Sequence, residues 1–173
     1  MSMPAPEAAS APARMSPEPK GTPPHRPAGR RVIYLANPLG FAESGRHALG
    51  RIRAELEALG VNVWEPFAEC AGRTPREIGR LCLEHIRESD GVFAVVNGNP
   101  PDEGVMVEIG YAFALGKPVF LFRDDIRTCA DTPDYPLNLM LYAGLPDEWR
   151  DHWYTDIGEV ADGKKALARW AGA

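Results

Sequence analysis

Residues 91–122 have the sequence GVFAVVNGNPPDEGVMVEIGYAFALGKPVFLF, and this stretch decides the fold. Its apolar runs at 91–96 and 118–122 are typical of buried strands. The residues between them, 105–115, have the length and apolar content of a helix. A strand, a helix and a second strand joined by short loops form the unit from which parallel sheets are built.

The same alternation extends back along the chain to Arg31. Short apolar segments at 32–36 and 61–64 predict two more strands, and residues 45–59, with Ser44 as the N-cap, predict a helix between them. A further helix is marked by Thr74-Pro75-Arg76-Glu77, a capping-box pattern, and should extend to about residue 88. The alternation predicts the α/β class, as a single doubly wound parallel sheet of the flavodoxin or Rossmann-like kind. In such sheets, ligands bind at the carboxyl ends of the strands.

Composition divides the chain at about residue 30. Residues 1–30 hold eight of the 17 prolines, and most of the remainder is Ala, Ser, Gly and Glu. Such a segment cannot bury enough apolar surface to offset its ordering entropy. We therefore expect a disordered proline-rich tail at 1–30 and one α/β domain at 31–173, which is long enough for a core of its own.

Charge and cysteine content exclude several classes of protein. A formal net charge of −5 disfavours binding to nucleic acid or to an anionic membrane. No apolar run approaches the roughly 18–20 residues of a membrane span, and we expect a cytoplasmic protein. The cysteines form no CxxC pair, which argues against a zinc site or a disulfide framework: they are Cys70, Cys82 and Cys129.

Two carboxylates stand out in a sequence that lacks the GxxxxGK[ST], GxGxxG and GxSxG motifs. Asp102 lies in the loop after the third predicted strand, and Glu108 lies about one turn inside the next helix among apolar neighbours. One interpretation is structural, with Glu108 facing solvent and Asp102 or Glu103 capping the helix. The other is a pair of carboxylates acting at the anomeric carbon of a sugar, where the transition state resembles an oxocarbenium ion.

Four stretches of the chain, in order and at similar spacing, resemble the nucleoside 2-deoxyribosyltransferase family. The most specific is DEGVMVEIGYAFALGKPV at 102–119, with the pattern D-x5-E-[IL]-G-x-A followed by G-K-P-V. The others are YLANPL at 34–39, LEHIRESD at 83–90 and LNLM at 137–140. The resemblance covers roughly residues 31–143 and implies an enzyme of nucleotide salvage.

The resemblance also implies a mechanism and its residues. Glu108 corresponds to the family's nucleophile, which attacks C1′ of a 2-deoxynucleoside to form a deoxyribosyl ester. A second base then attacks the ester, so that the configuration is retained. Tyr34 corresponds to the tyrosine that orients the nucleophile, Asp102 to an aspartate that contacts the substrate, and Asn138 to an asparagine that binds the sugar in a neighbouring subunit's site. Neither a metal nor a cofactor is expected.

Other positions are candidates for binding the substrate. Asn37 and Phe41 lie in the first loop, Glu69 lies in a loop where the family places groups that recognise the base, and Met140 follows Asn138. Cys82 is a departure, because family members commonly have aspartate directly before the segment that begins at residue 83. The departure implies that Asp102 handles the base alone or that activity and base preference have changed.

The expected partners are nucleosides, free nucleobases and further copies of the chain. A shared active site requires at least a dimer, and a hexamer is also compatible with the resemblance. Its interface is expected to include the apolar residues around Asn138, namely Leu137, Leu139, Met140, Leu141 and Tyr142. The structural alternative is a short helix that packs these side chains on the chain's own core.

Two other functions remain open. One is hydrolysis of the N-glycosidic bond in nucleosides or their 5′-monophosphates. It is disfavoured because the first loop contains Pro38, which cannot donate a backbone hydrogen bond to phosphate. The other is a non-catalytic module that senses nucleosides or nucleotides, for which Cys82 would be a mark of lost activity.

Overall fold

The computed structural model describes residues 29–68, 70 and 72–172. Residues 1–28, which make up nearly all of the predicted tail, and Glu69 lie outside the described residues. The predicted boundary between tail and domain therefore stays a prediction.

The chain forms a five-stranded sheet in which every pairing is parallel, with the order β2-β1-β3-β4-β5. The strands are β1 (Val32–Ala36), β2 (Asn62–Trp64), β3 (Gly91–Val95), β4 (Val119–Phe122) and β5 (Trp153–Tyr154). The first four match the expected strands closely. The strand order reverses beside β1, because the chain moves from β1 to β2 on one side and then to β3 on the other.

Five helices cover the sheet: α1 (Glu43–Ala58), α2 (Pro75–Glu88), α3 (Glu103–Ala114), α4 (Leu139–Ala143) and α5 (Ala166–Gly172). Strand side chains alternate between the two faces, since successive residues of a strand point in opposite directions. Ile33 and Leu35 of β1 belong to the core cluster of α1 and α5, whereas Tyr34 and Ala36 belong to the cluster of α2, α3 and α4. Helices on both faces confirm the predicted doubly wound α/β architecture.

The helix starts depend on local contacts that the sequence signals only in part. The capping box of α2 is present, because Thr74 accepts from the Glu77 backbone N–H and the Glu77 carboxylate accepts from that of Thr74. The expected Ser44 cap of α1 is wrong. A 3-10 turn at Leu39–Phe41 leads directly into the helix, and the N-cap is Ala42. This entry is tight, since a Cβ on Gly45 would lie 2.2 Å from the Leu39 carbonyl oxygen.

The carboxyl-terminal part of the chain completes the sheet edge and both cores. Trp149 and Trp153 pack with the rings of Tyr135 and Tyr142 on one face of the sheet. On the other face, the buried Tyr154 hydroxyl accepts a hydrogen bond from the backbone of α5 at Leu167, 2.8 Å away. In the described part of the chain, no helix is long and apolar enough to cross a membrane.

Candidate active site

The site is organised by a contact between Tyr34 of β1 and Glu108 of α3. Tyr34 is completely buried on the face of the sheet covered by α2 and α3, and its hydroxyl donates a hydrogen bond to Glu108 Oε1. Glu108 itself is half-buried. The suggestion that Glu108 simply faces solvent is therefore wrong, because its carboxylate is fixed by a partner 74 residues earlier in the chain.

Burial sets the acidity of this pair. It raises the pKa of Glu108 from 4.5 to about 7; the Tyr34 hydrogen bond opposes this rise and the nearby Asp102 charge adds to it. Burial also holds the pKa of Tyr34 well above its usual range, and Glu108 and Cys82 add to this effect. Tyr34 therefore stays protonated as a donor, while Glu108 exchanges its proton near neutral pH.

Asp102 lies at the N-terminus of the helix that carries Glu108. It is the N-cap of α3, and its Oδ1 accepts a hydrogen bond from the Val105 backbone N–H at 3.0 Å. The capping interpretation of Asp102 is thus confirmed, and it accounts for the start of α3 two residues before the expected position. The same geometry leaves Asp102 close enough to Glu108 for its charge to act on the nucleophile candidate.

Cys82 of α2 also belongs to this group. Its half-buried thiol interacts with Tyr34 and is close enough to Glu108 for their charges to couple. Burial raises the pKa of the thiol to about 11, so Cys82 is a neutral thiol at physiological pH. The structure thus brings four predicted residues together: Tyr34, Cys82, Asp102 and Glu108.

A stack of two further rings packs against Tyr34. Trp64, the last residue of β2, stacks on Tyr34 with ring centroids 5.2 Å apart, and His85 of α2 stacks on Trp64 at 3.6 Å. Burial, together with the Arg73 charge, lowers the pKa of His85 to about 4, so the imidazole is neutral. His85 was not predicted as part of the site, although it lies one helical turn from Cys82 on the same stripe of α2.

Of the two predicted residues in the first loop, one is buried and the other is exposed. Asn37 is buried, and its side chain donates to the Leu35 carbonyl at 3.0 Å and accepts from the Leu39 N–H at 3.0 Å. These bonds shape the turn after β1. Phe41 is 78% exposed and meets the edge of Phe67 at 4.7 Å between centroids, so its ring is available to a ligand. Binding of substrate by either residue stays a prediction.

Asn138 and Met140 are presented at the start of α4. Asn138 is the N-cap of this helix, where it accepts from the Met140 N–H at 3.0 Å and donates to Asp131 at 2.8 Å. Both predicted residues are exposed. The expected interface is wrong in three of its members, because Leu137, Leu141 and Tyr142 are buried in this chain's own core, while Leu139 and Met140 are exposed. The short-helix alternative thus holds for those three residues.

Residues of the second loop were only partly predicted. Glu65, directly after β2, is buried and accepts from the backbone N–H groups of Phe67 and Ala68 at 2.8 and 3.2 Å. Glu69 lies outside the described residues, so its contact with a base stays a prediction. Among the residues that the structure describes, no three His, Cys, Asp or Glu side chains group as metal ligands.

Fold and site together define a class: a flavodoxin-like parallel α/β protein with a hydrogen-bonded carboxylate at the carboxyl edge of the sheet. The family model for nucleoside 2-deoxyribosyltransferase matches residues 33–140. The chain therefore belongs to the nucleoside 2-deoxyribosyltransferase family. No curated protein sequence gives a match.

Two solved structures of 2-deoxyribosyltransferases are similar to this chain in fold as well as in sequence. The chain is similar to the 2-deoxyribosyltransferase of the psychrotolerant bacterium Bacillus psychrosaccharolyticus, with 26% identity over 76% of this chain and 90% of that one, and a TM-score of 0.61. It is also similar to the 2-desoxiribosyltransferase from Leishmania mexicana, with 26% identity over 73% and 91% of the two chains and a TM-score of 0.59.

Proposed function

We propose that the protein transfers 2-deoxyribose between nucleobases through a covalent deoxyribosyl ester on Glu108. The observation that supports this most directly is the hydrogen bond from Tyr34 to Glu108 Oε1. It fixes the carboxylate and occupies one oxygen, which leaves Oε2 for attack on C1′. A carboxylate that is held in place and partly desolvated is a competent nucleophile for such a reaction.

The reaction has two steps. Oε2 of Glu108 forms a bond to C1′ as the bond from C1′ to the base nitrogen breaks, and the departing base takes the electron pair and a proton from solvent. A nitrogen of the incoming base then attacks C1′, releases its proton to solvent and displaces the carboxylate. Each step inverts C1′, so the product nucleoside retains the original configuration. Neither step needs a metal or a redox cofactor.

The residues around Glu108 suggest separate roles. Oδ1 of Asp102 is used in capping α3, so the contact with substrate falls to Oδ2. Cys82 presents a neutral thiol next to Tyr34, which places no second charge on that side of the nucleophile. Asn37, Phe41 and Glu69 remain proposed contacts of the substrate in the first two loops.

A transfer assay with deoxyinosine and free adenine tests the activity. Formation of deoxyadenosine supports a transferase, free 2-deoxyribose would indicate a hydrolase, and binding without turnover would indicate a sensing module. Intact-mass spectrometry after mixing with deoxyinosine alone should show one added deoxyribosyl group. That group should be absent from the Glu108→Gln variant, whose amide cannot form the ester.

We also propose that active sites are shared between copies of the chain. Asn138 is exposed, is held rigidly by Asp131 and is flanked by the exposed Leu139 and Met140, as a residue delivered to another subunit would be. Mixing inactive Glu108→Ala and Asn138→Ala proteins under conditions of subunit exchange tests this. Partial recovery of activity supports a shared site, because some pockets then contain both intact residues. No recovery despite exchange would mean that Asn138 serves its own subunit or none.

A further inference from the structure

Two loops at the carboxyl edge of the sheet carry residues of the proposed site. The loop after β3 ends at Asp102, and the loop after β4 ends at Asn138. The two strands are hydrogen-bonded neighbours, so the loops begin side by side.

A single buried arginine joins these loops. Arg123, the first residue after β4, is 3% exposed, and its guanidinium donates to three backbone carbonyls. Two of them, Val96 and Gly98, lie in the loop that leads to Asp102, and the third, Arg127, lies in the loop that leads to Asn138. The bond to Gly98 measures 2.9 Å. Among the described residues, the carboxylate within ion-pairing distance of the guanidinium is that of Asp125, at 4.0 Å.

Side chains of the same two loops reinforce the connection. Asn97 Oδ1 accepts from the backbone N–H groups of Asp124 and Asp125 at 3.1 and 3.3 Å. Asp125 in turn accepts from the Gly98 N–H at 3.2 Å, and Asn99 donates to the Thr128 carbonyl at 3.2 Å. Gly98 has a φ of 103°, a conformation that other residues rarely adopt, which lets the loop turn back against its neighbour.

We propose that Arg123 is a positioning residue of the transfer reaction, which fixes the loop before α3 and thereby the place of Asp102 relative to Glu108. This inference rests on the proposed function. The planar guanidinium offers several donors in a fixed geometry and is always charged, so one side chain satisfies three carbonyls at once. Without it, the buried Val96 carbonyl and the two partly buried ones would lose their partner, and the loop would be free to shift.

A shift of this loop would affect Glu108 in two ways. Asp102 would lose its position toward the substrate, and its charge would lie farther from Glu108. Besides burial, the groups that act on the pKa of Glu108 are Tyr34 from β1 and Asp102 from the loop, while Cys82 of α2 faces the pair as a neutral thiol. Since Asp102 raises the pKa of Glu108, moving it away lowers that pKa and moves the acid limb of the pH–rate profile to lower pH.

Arg123→Lys and Asn97→Ala test this in the transfer assay, with Arg169→Lys as the matched control. Arg169 lies in α5, away from the site, and its guanidinium also donates to a backbone carbonyl and to a carboxylate. We expect Arg123→Lys to lower kcat about 10- to 100-fold, the scale of a misplaced catalytic group, and to move the acid limb downward. Arg169→Lys should leave both unchanged. Wild-type kcat and an unmoved limb in Arg123→Lys would overturn the proposal.

Hydrogen exchange separates this proposal from the proposed function. The Val105 amide is held by Asp102 Oδ1, so its exchange reports the position of Asp102 without any turnover. If the wild-type protein transfers no deoxyribose, the proposed function fails. Hydrogen exchange at Val105 then decides by itself whether Arg123 positions Asp102. Faster exchange at Val105 in Arg123→Lys, but not in Arg169→Lys, supports positioning, and equal exchange contradicts it. If Arg123→Lys does not fold, Asn97→Ala, which changes a residue at the exposed end of the same contact, decides by the same criteria.

Discussion

Replacing Tyr34 with phenylalanine removes the hydroxyl that donates to Glu108 and leaves the buried ring in place. That hydrogen bond holds the pKa of Glu108 down against the effect of burial, so its loss should raise the pKa above the present value of about 7. A hydrogen bond to a charged group contributes about 1.5–3 kcal/mol, and one pKa unit corresponds to about 1.4 kcal/mol, so the expected rise is about one to two units.

The consequence for rate depends on pH in a way that identifies the cause. At pH 7 the ionised fraction of Glu108 should fall from about one half to between about 1% and 10%, which lowers kcat/KM by about 5- to 50-fold. At pH 9 most of that loss should be recovered, because between about one half and about 90% of Glu108 is then ionised. The assay is the initial rate of deoxyadenosine formation from deoxyinosine and adenine, measured by chromatography between pH 5.5 and 9.5.

Tyr154→Phe is the matched control, since Tyr154 is equally buried and its hydroxyl also makes a hydrogen bond, accepting from the Leu167 N–H, but on the other face of the sheet. It should lower stability without moving the acid limb. An acid limb that stays in place or moves to lower pH in Tyr34→Phe would refute the reasoning. So would a loss of rate that is the same at every pH, because the hydroxyl would then act only by orienting the carboxylate.

Four further predictions concern rate and stability. Glu108→Gln should lose at least about 10³-fold in kcat, as expected when a covalent route is removed; near wild-type turnover would exclude Glu108 as nucleophile. The pKa of Glu108 is raised from 4.5 in the unfolded chain to about 7 in the folded protein, so the folded state favours the protonated carboxyl. The free energy of unfolding that this contributes at low pH is lost as pH rises through about 7. Urea unfolding at pH 5 and pH 9 should therefore show the wild type losing up to about 3 kcal/mol relative to Glu108→Gln, and parallel pH dependences would contradict this. Thr74→Ala should cost about 1 kcal/mol through the α2 capping box with little effect on kcat, which thermal melting and the transfer assay check. Deleting residues 1–29 should leave melting temperature and activity nearly unchanged, and a loss of several degrees would show that this segment docks on the domain.

The sheet as far as β4 could be predicted because its signals are local. Each of the first four strands is a short apolar run, and the helices between them have recognisable lengths or caps. β5 could not be predicted, since two residues carry no periodicity. It exists through pairing of Trp153 and Tyr154 with β4 and through the bond between His152 Nδ1 and the Val119 carbonyl, 2.8 Å apart. These contacts join residues more than 30 positions apart.

The site was predictable where one motif contained it and less so where the fold assembled it. Asp102 and Glu108 lie in one stretch of sequence, and the resemblance supplied Tyr34 and Asn138. Nothing in the sequence shows that His85 stacks beneath Trp64, or that Arg123 reaches carbonyls on two loops, because both arrangements depend on how separate strands and helices meet. The burial of Leu141 and Tyr142 was likewise decided by packing on the chain's own aromatic cluster, which an apolar sequence pattern cannot distinguish from a surface for another subunit.

The brevity of the two outer strands limits how copies of the protein can associate. β2 has three residues and β5 has two, so each open edge of the sheet offers very few unpaired backbone groups. Such short edges give little template for strand addition, which protects a protein from edge-to-edge aggregation and from forming a continuous sheet across subunits. We therefore expect any symmetric assembly of this chain to be built from helix surfaces and loops, which are also the parts that carry Glu108 and Asn138.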